Sequence, residues 1–286
     1  MKIAVLADIH SNYRALQAVA DDIGRWRPDM VVVAGDVINR GPMPVECLSF
    51  AREMEREEGW LLLRGNHEDY VIEHAQPSPE KMDGVKGEIF RLSWWTYEQL
   101  EKDVSVIESW PFCIERETPG GLARFAHASM RGIRDGIYRQ LPDDILCKQI
   151  GEPPPALFVV GHTHLPLVRP IGQTLVVNVG AVGLPFDGDT RAAYAQIVFA
   201  DGAWKAEIKR LTYDFARAER DYHESGFLDE AGPLAELVLD EQRRGRSNLF
   251  QWMELYYQDI LAGKLSVEEA TRRFLQIPPN QRRVYG

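Results

Sequence analysis

The chain has 286 residues, of which 45% are apolar and 27% are charged, so its composition is that of a globular protein with one large domain or two smaller ones. Its 33 basic and 43 acidic side chains give a formal net charge of −10, which argues against a protein that binds long nucleic acid through a broad basic surface. The apolar run at residues 3–7 is too short for a signal peptide or a membrane span. We therefore expect a cytoplasmic protein that does not enter a membrane.

The first part of the sequence alternates between strand and helix patterns. Continuous apolar runs at residues 3–7, 30–34 and 60–63 predict strands that are buried on both faces. Between them, apolar residues at helical spacing predict helices over residues 15–23 and 45–57. This order predicts right-handed crossovers between parallel strands, so the loops that follow the strands lie at one edge of the sheet.

Further along the chain, a polar loop is predicted at residues 77–87 and a helix at residues 88–100. Short strands are predicted at residues 123–126 and 156–160. About three more are predicted between residues 167 and 204, where turns contain glycine and aspartate. These strands indicate a second sheet.

From about residue 212 the apolar spacing becomes helical. We predict a main domain at residues 1–211 and a C-terminal helical extension at residues 212–286 that packs on it. Around Trp252 the extension carries more apolar surface than one short helix needs. That surface could cover the main domain, cap the site or form a contact between two copies of the chain, which would make a homo-oligomer.

Five polar clusters follow strand-like runs, and they contain five of the seven histidines. Their Asp, Asn and His side chains are ligands suited to Mn, Fe, Zn, Ni or Co, and no cysteine accompanies them. Because loops at the ends of neighbouring parallel strands converge, we expect two metal ions that share one carboxylate. The clusters are Asp8-x-His10, Gly35-Asp36, Gly65-Asn66-His67-Glu68, His127 and Gly161-His162-Thr163-His164.

Taken singly, each cluster has an ordinary structural interpretation, and a lone His127 is typical of a partly buried histidine. The pair His162 and His164 is more specific, because alternate residues of an extended segment point the same way. Five clusters in succession at strand ends favour a metal site over five separate structural accidents.

The ordered set of clusters resembles the calcineurin-like metallophosphoesterases over about residues 1–210. Within it, residues 62–68 are similar to the corresponding segment of serine/threonine protein phosphatases and diadenosine tetraphosphate hydrolases. Residues 178–191 are closer to the small prokaryotic phosphodiesterase-type branch. The resemblance implies an α/β fold, a four-layer α-β-β-α sandwich of two mixed sheets, to which the C-terminal helical extension is added.

The resemblance also implies a dinuclear centre of divalent Mn, Fe, Zn, Ni or Co, whose bridging hydroxide attacks phosphorus in line. Such a centre carries about +4 before its ligands are counted, which supplies the local positive charge that an acidic chain otherwise lacks for an anionic substrate. The implied ligands are Asp8, His10 and His164 for one ion, Asn66, His127 and His162 for the other, and Asp36 bridging both.

By the same resemblance, His67 and Asp36 are the expected catalytic residues, with His67 as the proton donor. Arg40 corresponds to the phosphate-contacting arginine of the family, and Asn66 and His67 are also expected to contact the substrate. Arg64 and Arg191 are further candidates for a phosphate contact.

The chain departs from the protein-phosphatase pattern just before Arg40, where Asn39 replaces an aspartate that orients and charges the proton-donating histidine. A neutral amide can still fix the ring by hydrogen bonding, but it favours the imidazolium form less. Ser11 also replaces a glycine that often follows the Asp-x-His cluster. Neither departure removes a ligand.

The resemblance implies an enzyme that hydrolyses phosphate esters of a small substrate. A phosphodiesterase on a small or nucleotide-like substrate is our first interpretation, because residues 178–191 resemble that branch. The alternatives are a phosphomonoesterase, a diadenosine polyphosphate hydrolase and a protein phosphatase. A non-catalytic metal-binding scaffold, like the retromer subunit of the same fold, is a further alternative, although His67 and the whole ligand set are present here.

Overall fold

The computed structural model describes residues 1–76 and 84–283, and in these ranges ten strands form two five-stranded mixed sheets. In each sheet three neighbouring strands are parallel, and every other pair of neighbouring strands is antiparallel. The first sheet contains, in spatial order, Ala203–Leu211 (β10), Ala192–Ala200 (β9), Lys2–Leu6 (β1), Met30–Ala34 (β2) and Leu61–Leu63 (β3). The second contains Cys113–Thr118 (β4), Gly121–Ala126 (β5), Leu157–Val160 (β6), Thr174–Asn178 (β8) and Leu167–Ile171 (β7).

The two sheets pack face to face, and alternate residues of their strands form the core between them. Ile3 and Val5 of β1 share this layer with Phe125 of β5 and Val159 of β6. Leu6 points to the opposite face of β1 and joins the helices that cover the first sheet. The buried strand runs of the sequence therefore correspond to strands with apolar neighbours on both faces.

Helices cover the outer face of each sheet. Helices α1 (Tyr13–Trp26) and α2 (Pro44–Glu58) pack on the first sheet. On the second sheet, the helix Asp143–Ile150 (α7) buries Leu146 and Ile150. The predicted four-layer α-β-β-α sandwich of two mixed sheets is confirmed.

Between α2 and α7 the described residues form four short helices. The predicted helix at residues 88–100 is divided in two, and a helix begins directly at Asn66, where the sequence indicated a loop. The predicted loop at residues 77–87 lies partly outside the described residues, and its last residues begin a helix. The four are Asn66–Ile72 (α3), Gly84–Ile89 (α4), Arg91–Gln99 (α5) and Ser105–Glu108 (α6), and Glu73–Ala75 is a single 3-10 turn.

The C-terminal helices pack against α5 and against the loop that contains Phe186. Trp252 and Phe274 are fully buried in this cluster, together with Trp95 of α5. Much of the apolar surface around Trp252 therefore covers other parts of the same chain. The division into two domains at residue 212 and a contact between two copies of the chain stay predictions. The helices are Phe215–Glu224 (α8), Phe227–Glu230 (α9), Leu234–Arg244 (α10), Leu249–Leu261 (α11) and Val267–Gln276 (α12), followed by the 3-10 turn Pro279–Gln281.

None of the helices in the two described ranges combines the length and the apolar character needed to cross a bilayer.

Candidate metal centre

The predicted metal ligands lie together at the edge where strands of both sheets end. Six of the seven are buried, and His162 is partly exposed. Parallel strands bring their carboxyl ends to one edge, which explains why residues far apart in sequence meet there. Asp8 follows β1, Asp36 follows β2, Asn66 follows β3, His127 follows β5, and His162 and His164 follow β6.

Four of these residues form a first group of potential ligands. Asp8, His10, Asp36 and His164 each offer one atom, and these atoms lie within 4.8 Å of one another. The Nε2 atoms of His10 and His164 are 3.2 Å apart. Nε2 of His164 lies 3.4 Å from Oδ1 of Asp8, and Nε2 of His10 lies 3.7 Å from Oδ2 of Asp36. The group matches the set that the resemblance implied for one ion.

A second group lies next to the first and shares Asp36 with it. Oδ1 of Asn66 is 2.8 Å from Nδ1 of His162 and 3.0 Å from Nε2 of His127. Nε2 of His127 is 3.2 Å from Oδ2 of Asp36. The same Asp36 oxygen therefore faces ring nitrogens of both groups.

Three of the histidines are oriented by hydrogen bonds from Nδ1 to main-chain carbonyl oxygens. The acceptors are Asn39 for His10 at 3.2 Å, Ala34 for His127 at 2.8 Å, and Leu184 for His164. A ring that donates through Nδ1 presents Nε2 on its other side, which is the usual arrangement of a metal-ligating histidine. These contacts fix the ring planes before any metal binds.

Two carboxylate oxygens in the centre are buried away from water and accept no hydrogen bond in its place. Oδ1 of Asp8 and Oδ2 of Asp36 find no hydrogen-bond partner among the described residues. An unpaired buried carboxylate oxygen is destabilising by roughly 1–3 kcal/mol or more, and both atoms face the ring nitrogens of the two groups. A set of unpaired oxygens and oriented imidazoles fits a divalent metal.

The buried carboxylates and imidazoles of the centre shift one another's pKa. Burial raises the pKa of Asp8 well above its usual range. Burial also opposes ionisation of Asp36, but the neighbouring histidines, His127 foremost, together hold the pKa of Asp36 well below its usual range. In turn, Asp36 overcomes the burial of His127 and raises its pKa to about 10. A metal ion that binds Nε2 of His127 must displace this proton.

The main chain around the centre is strained. Twelve non-glycine residues of the described part have positive φ, and eight of them lie in the loops of the centre. Such conformations are unfavourable for L-residues by roughly 1–2 kcal/mol each and are found mainly at functional sites. The eight are Asp8, His10, Ser11, Asp36, Asn39, Arg40, His162 and His164.

Two glycines of the sequence clusters allow close approach of neighbouring loops. A Cβ atom on Gly65 would lie 2.1 Å from Oδ1 of Asp36, and one on Gly161 would lie 2.6 Å from Oδ2 of Asp8. These distances exclude any side chain, so the glycines before Asn66 and His162 are required by packing against the carboxylates.

Glu68 holds two of the loops together, a role that the sequence did not predict. Its fully buried carboxylate accepts hydrogen bonds from four main-chain amides of the loops after β2 and β3. Each oxygen accepts two of them, and burial, opposed by these bonds, raises the pKa of Glu68 to about 7. Glu68 lies three residues after Gly65, which directly precedes helix α3. A glutamate at this distance from the cap residue is a capping pattern, and that pattern could have identified Glu68 in the sequence. The donors are Asp36 at 2.8 Å, Val37 at 2.8 Å, Ile38 at 3.2 Å and Gly65 at 2.8 Å.

Replacing Glu68 by glutamine is expected to lower the free energy of unfolding by about 2–4 kcal/mol, because the new NH₂ group faces two main-chain donors that lose their acceptor. Denaturant unfolding measures the change. The control is Glu55→Gln at an exposed position of α2, which should change stability by less than about 0.5 kcal/mol. Equal stability of the two variants would contradict the structural role of Glu68.

His67 lies beside the centre in a defined tautomer. The main-chain amide of Arg40 donates to Oδ1 of Asn39 at 2.8 Å, so Nδ2 of Asn39 faces Nδ1 of His67 at 3.0 Å and donates to it. The ring hydrogen is therefore on Nε2. Burial lowers the pKa of His67 to about 3, which keeps the ring neutral. Asn39 thus orients the ring, as a neutral amide was expected to do.

Arg40 is paired with a residue of the C-terminal helices, a contact that no sequence motif predicts. The Nη2 atom of Arg40 contacts a carboxylate oxygen of Glu241, which is fully buried on α10. The guanidinium lies 5.8 Å from the ring centre of Phe186, and its Nε has no hydrogen-bond partner within the described ranges. Arg40 is therefore a nearly buried cation beside the centre.

The other two arginine candidates are placed differently. Arg64 binds Asp69 at 2.9 Å and also reaches the main chain of Glu108, so it braces neighbouring segments. Arg191 binds Asp189 at 2.6 Å and is half exposed. Neither lines the cavity at the centre.

A cavity of about 540 Å³ opens at the centre. Asp36, Arg40, Asn66 and His67 line its inner end. This arrangement places a cation, a neutral proton donor and the candidate metal ligands around one space, which suits the binding of an anionic ester.

Comparison with known proteins gives consistent matches. A family model described as calcineurin-like phosphoesterase matches residues 1–175. An uncharacterized protein of Methanocaldococcus jannaschii is 30% identical over 236 residues, which are 76% of this chain and 89% of that protein. An asymmetrical bis(5′-nucleosyl)-tetraphosphatase of Bacillus subtilis is 25% identical over 217 residues, which are 64% of this chain and 87% of that protein.

Solved structures show the same architecture. A metallophosphoesterase of Sphaerobacter thermophilus is 26% identical and superposes with a TM-score of 0.67, over 86% of this chain and 100% of that one. A hypothetical protein of Pyrococcus horikoshii is 18% identical, with a TM-score of 0.72 over 86% of this chain and 99% of that one. The second likeness concerns the fold alone.

Proposed function

This chain belongs to the calcineurin-like phosphoesterase family, and on that premise we propose that it is a phosphodiesterase that acts on a small, nucleotide-like substrate. Membership makes it a metal-dependent hydrolase of phosphate esters. The proposal of a phosphodiesterase rests chiefly on one observation. Two groups of ligand atoms meet at one oxygen of Asp36, in a cavity that Arg40 and His67 also line.

The centre would hold two divalent ions, and Asp36 would contribute to both, since one of its oxygens faces both groups. Asp8, His10 and His164 would hold one ion, since their free atoms converge. The converging oxygen and nitrogens of the second group would hold the other. When bound, the metal pair supplies a nucleophilic water at neutral pH and withdraws charge from the phosphate. Mn, Fe, Zn, Ni and Co all suit such a mixed ligand set.

The chain's own residues supply the remaining steps. Arg40 would bind a non-bridging oxygen of the phosphate, because it is a permanent cation and its buried Nε is an unused donor. His67 would donate a hydrogen bond from its Nε2–H to the leaving oxygen and stabilise the negative charge that develops there before solvent protonates it, since Asn39 holds the opposite ring nitrogen. Both residues line the cavity that opens at the centre.

The size of the cavity favours a diester over a simple phosphate monoester. Its volume of about 540 Å³ exceeds what one phosphate group fills, so it leaves room for a substituent on each ester oxygen. Asn178, in the segment that resembles the phosphodiesterase branch, has a structural role, because its Nδ2 donates to Gly161 at 2.7 Å and to Thr163 at 2.9 Å. The segment thus supports the loop of His162 and His164.

We expect the purified protein to contain close to two divalent ions per chain and, with the most activating ion, to hydrolyse bis(4-nitrophenyl) phosphate at least about tenfold faster than 4-nitrophenyl phosphate, a barrier difference of about 1.4 kcal/mol. Elemental analysis and a panel of esters under each metal measure this. Release from the monoester alone would indicate a phosphomonoesterase, and bound metal without any turnover would indicate a scaffold. Preferred cleavage of dinucleoside tetraphosphate would indicate the polyphosphate hydrolase instead.

A further inference from the structure

The outer wall of the cavity is formed by two segments, one that continues the loop of His127 and one from the C-terminal helices. Arg134 and Tyr138 come from the loop between β5 and α7, and Leu249 and Phe250 come from the first turn of α11. We call these four residues the aromatic rim. The rim shares one cavity with Arg40 and Asp36, so a substrate that reaches the centre passes against it.

The rim is unusual in its exposed aromatic surface. Three large aromatic side chains are exposed in the described part of the chain: Phe90, Tyr138 at 40% and Phe250 at 59%. Two of the three line this one cavity. Single exposed aromatic residues are ordinary, but two at the mouth of an active-site cavity indicate a surface that stacks on a ligand.

Arg134 adds a planar cation to the same wall. Its guanidinium lies 4.6 Å from the ring centre of Tyr70, which also lines the cavity. Planar rings bind between aromatic faces and guanidinium planes with little dependence on their hydrogen-bonding groups. The wall therefore has the chemistry of a stacking site, whereas the inner end of the cavity has the chemistry of a phosphate site.

Both segments of the rim are held in place. In the first, Oγ of Ser129 donates to Oδ2 of Asp135 at 2.7 Å. In the second, the main-chain amide of Leu249 donates at 3.0 Å to the buried carboxylate of Glu241, which also contacts Arg40. One carboxylate thus links the rim to the arginine at the phosphate end, so the spacing between the two ends is fixed.

From this placement we propose that the aromatic rim is a subsite for a planar aromatic ester group of the substrate, a nucleobase or an aryl ring, bound while its phosphate lies at Arg40 and the centre. The inference rests on the proposed function, because it assumes that the phosphate enters the inner end of the cavity. It assigns the C-terminal helical extension a part in substrate selection.

The test is calorimetric binding to the Mn²⁺-loaded protein, which does not depend on turnover. Adenosine 5′-monophosphate should bind at least about tenfold more tightly than ribose 5-phosphate, in which a hydroxyl replaces the base. Phenyl phosphate and methyl phosphate form a second pair. If the member with a ring binds more tightly in both pairs, the rim binds any planar ring. If only the nucleotide binds more tightly than its partner, the rim is selective for a nucleobase.

Phe250→Ala should remove most of this gain without changing the affinity for ribose 5-phosphate, and Phe250→Trp should keep it. Leu255→Ala is the matched control, since Leu255 is 47% exposed on the same helix and lies outside the cavity lining. Equal affinity of the unmodified protein for the two members of each pair would refute the aromatic subsite, even if diesters are hydrolysed. Tighter binding of the nucleotide without diester hydrolysis would instead refute the proposed function and support the subsite.

Discussion

His67→Ala is expected to lower kcat for diester hydrolysis by about 100- to 10,000-fold while the content of bound metal stays unchanged. In the proposed mechanism His67 stabilises the leaving oxygen through its Nε2–H, and it is outside both groups of ligand atoms. Its Nε2 hydrogen follows from the hydrogen bond that Asn39 donates to Nδ1. Removing the ring removes this hydrogen-bond donor but none of the assigned metal contacts.

The loss should depend on the leaving group. A 4-nitrophenolate departs without a proton more readily than an alkoxide does, so His67→Ala should impair a dinucleoside monophosphate more than bis(4-nitrophenyl) phosphate. His223→Ala is the control, because His223 is exposed on α8 and does not line the cavity. Unchanged turnover with retained metal would refute the assignment of His67, whereas loss of metal would show that it acts on the centre itself.

Glu241→Ala is expected to lower the free energy of unfolding by about 3–5 kcal/mol, because it leaves the nearly buried Arg40 without its counter-ion. It also removes the acceptor of the main-chain amides of Asn248 at 2.7 Å and Leu249 at 3.0 Å. Denaturant unfolding measures the change. Glu236→Ala on the same helix, at an exposed position, should cost less than about 0.5 kcal/mol.

The double variant Arg40→Met, Glu241→Met separates the two causes. If the unpaired charge dominates, the double variant is more stable than Glu241→Ala alone, because apolar groups of similar size replace both charges. If the lost amide acceptor dominates, the two variants are equally unstable. A Glu241→Ala protein as stable as the Glu236→Ala protein would contradict the buried ion pair altogether.

The positions of the ligands could be predicted from the sequence because strand patterns carry geometric information. An apolar run such as residues 3–7 forms a doubly buried strand, and parallel neighbours end at the same edge. The polar residue that follows each run must then lie at that edge. Asp8 and Asp36 follow neighbouring parallel strands, so the sequence predicts that they lie close together, while their role as ligands remains a prediction.

Other features could not be predicted because their cause lies in distant contacts. Glu241 carries no motif and lies 201 residues from Arg40, so only the packing of α10 reveals the pair. Strand β4 was missed because it is an edge strand with exposed charged residues and little apolar alternation. Helix α7 was missed because it is short and lies between a polar segment and the run Pro153-Pro154-Pro155, so the whole stretch resembles a connection.

The left-handed residues around the centre have a consequence for transplanting this site into other proteins. At roughly 1–2 kcal/mol each, eight such residues oppose folding by an amount comparable to the whole net stability of a typical domain, about 5–15 kcal/mol. The inter-sheet core and the Glu68 contacts compensate for that strain. In a smaller host scaffold, the same five loops would relax to ordinary conformations. Copying the ligand residues without a comparably stable core would therefore not reproduce the arrangement of the ligand atoms.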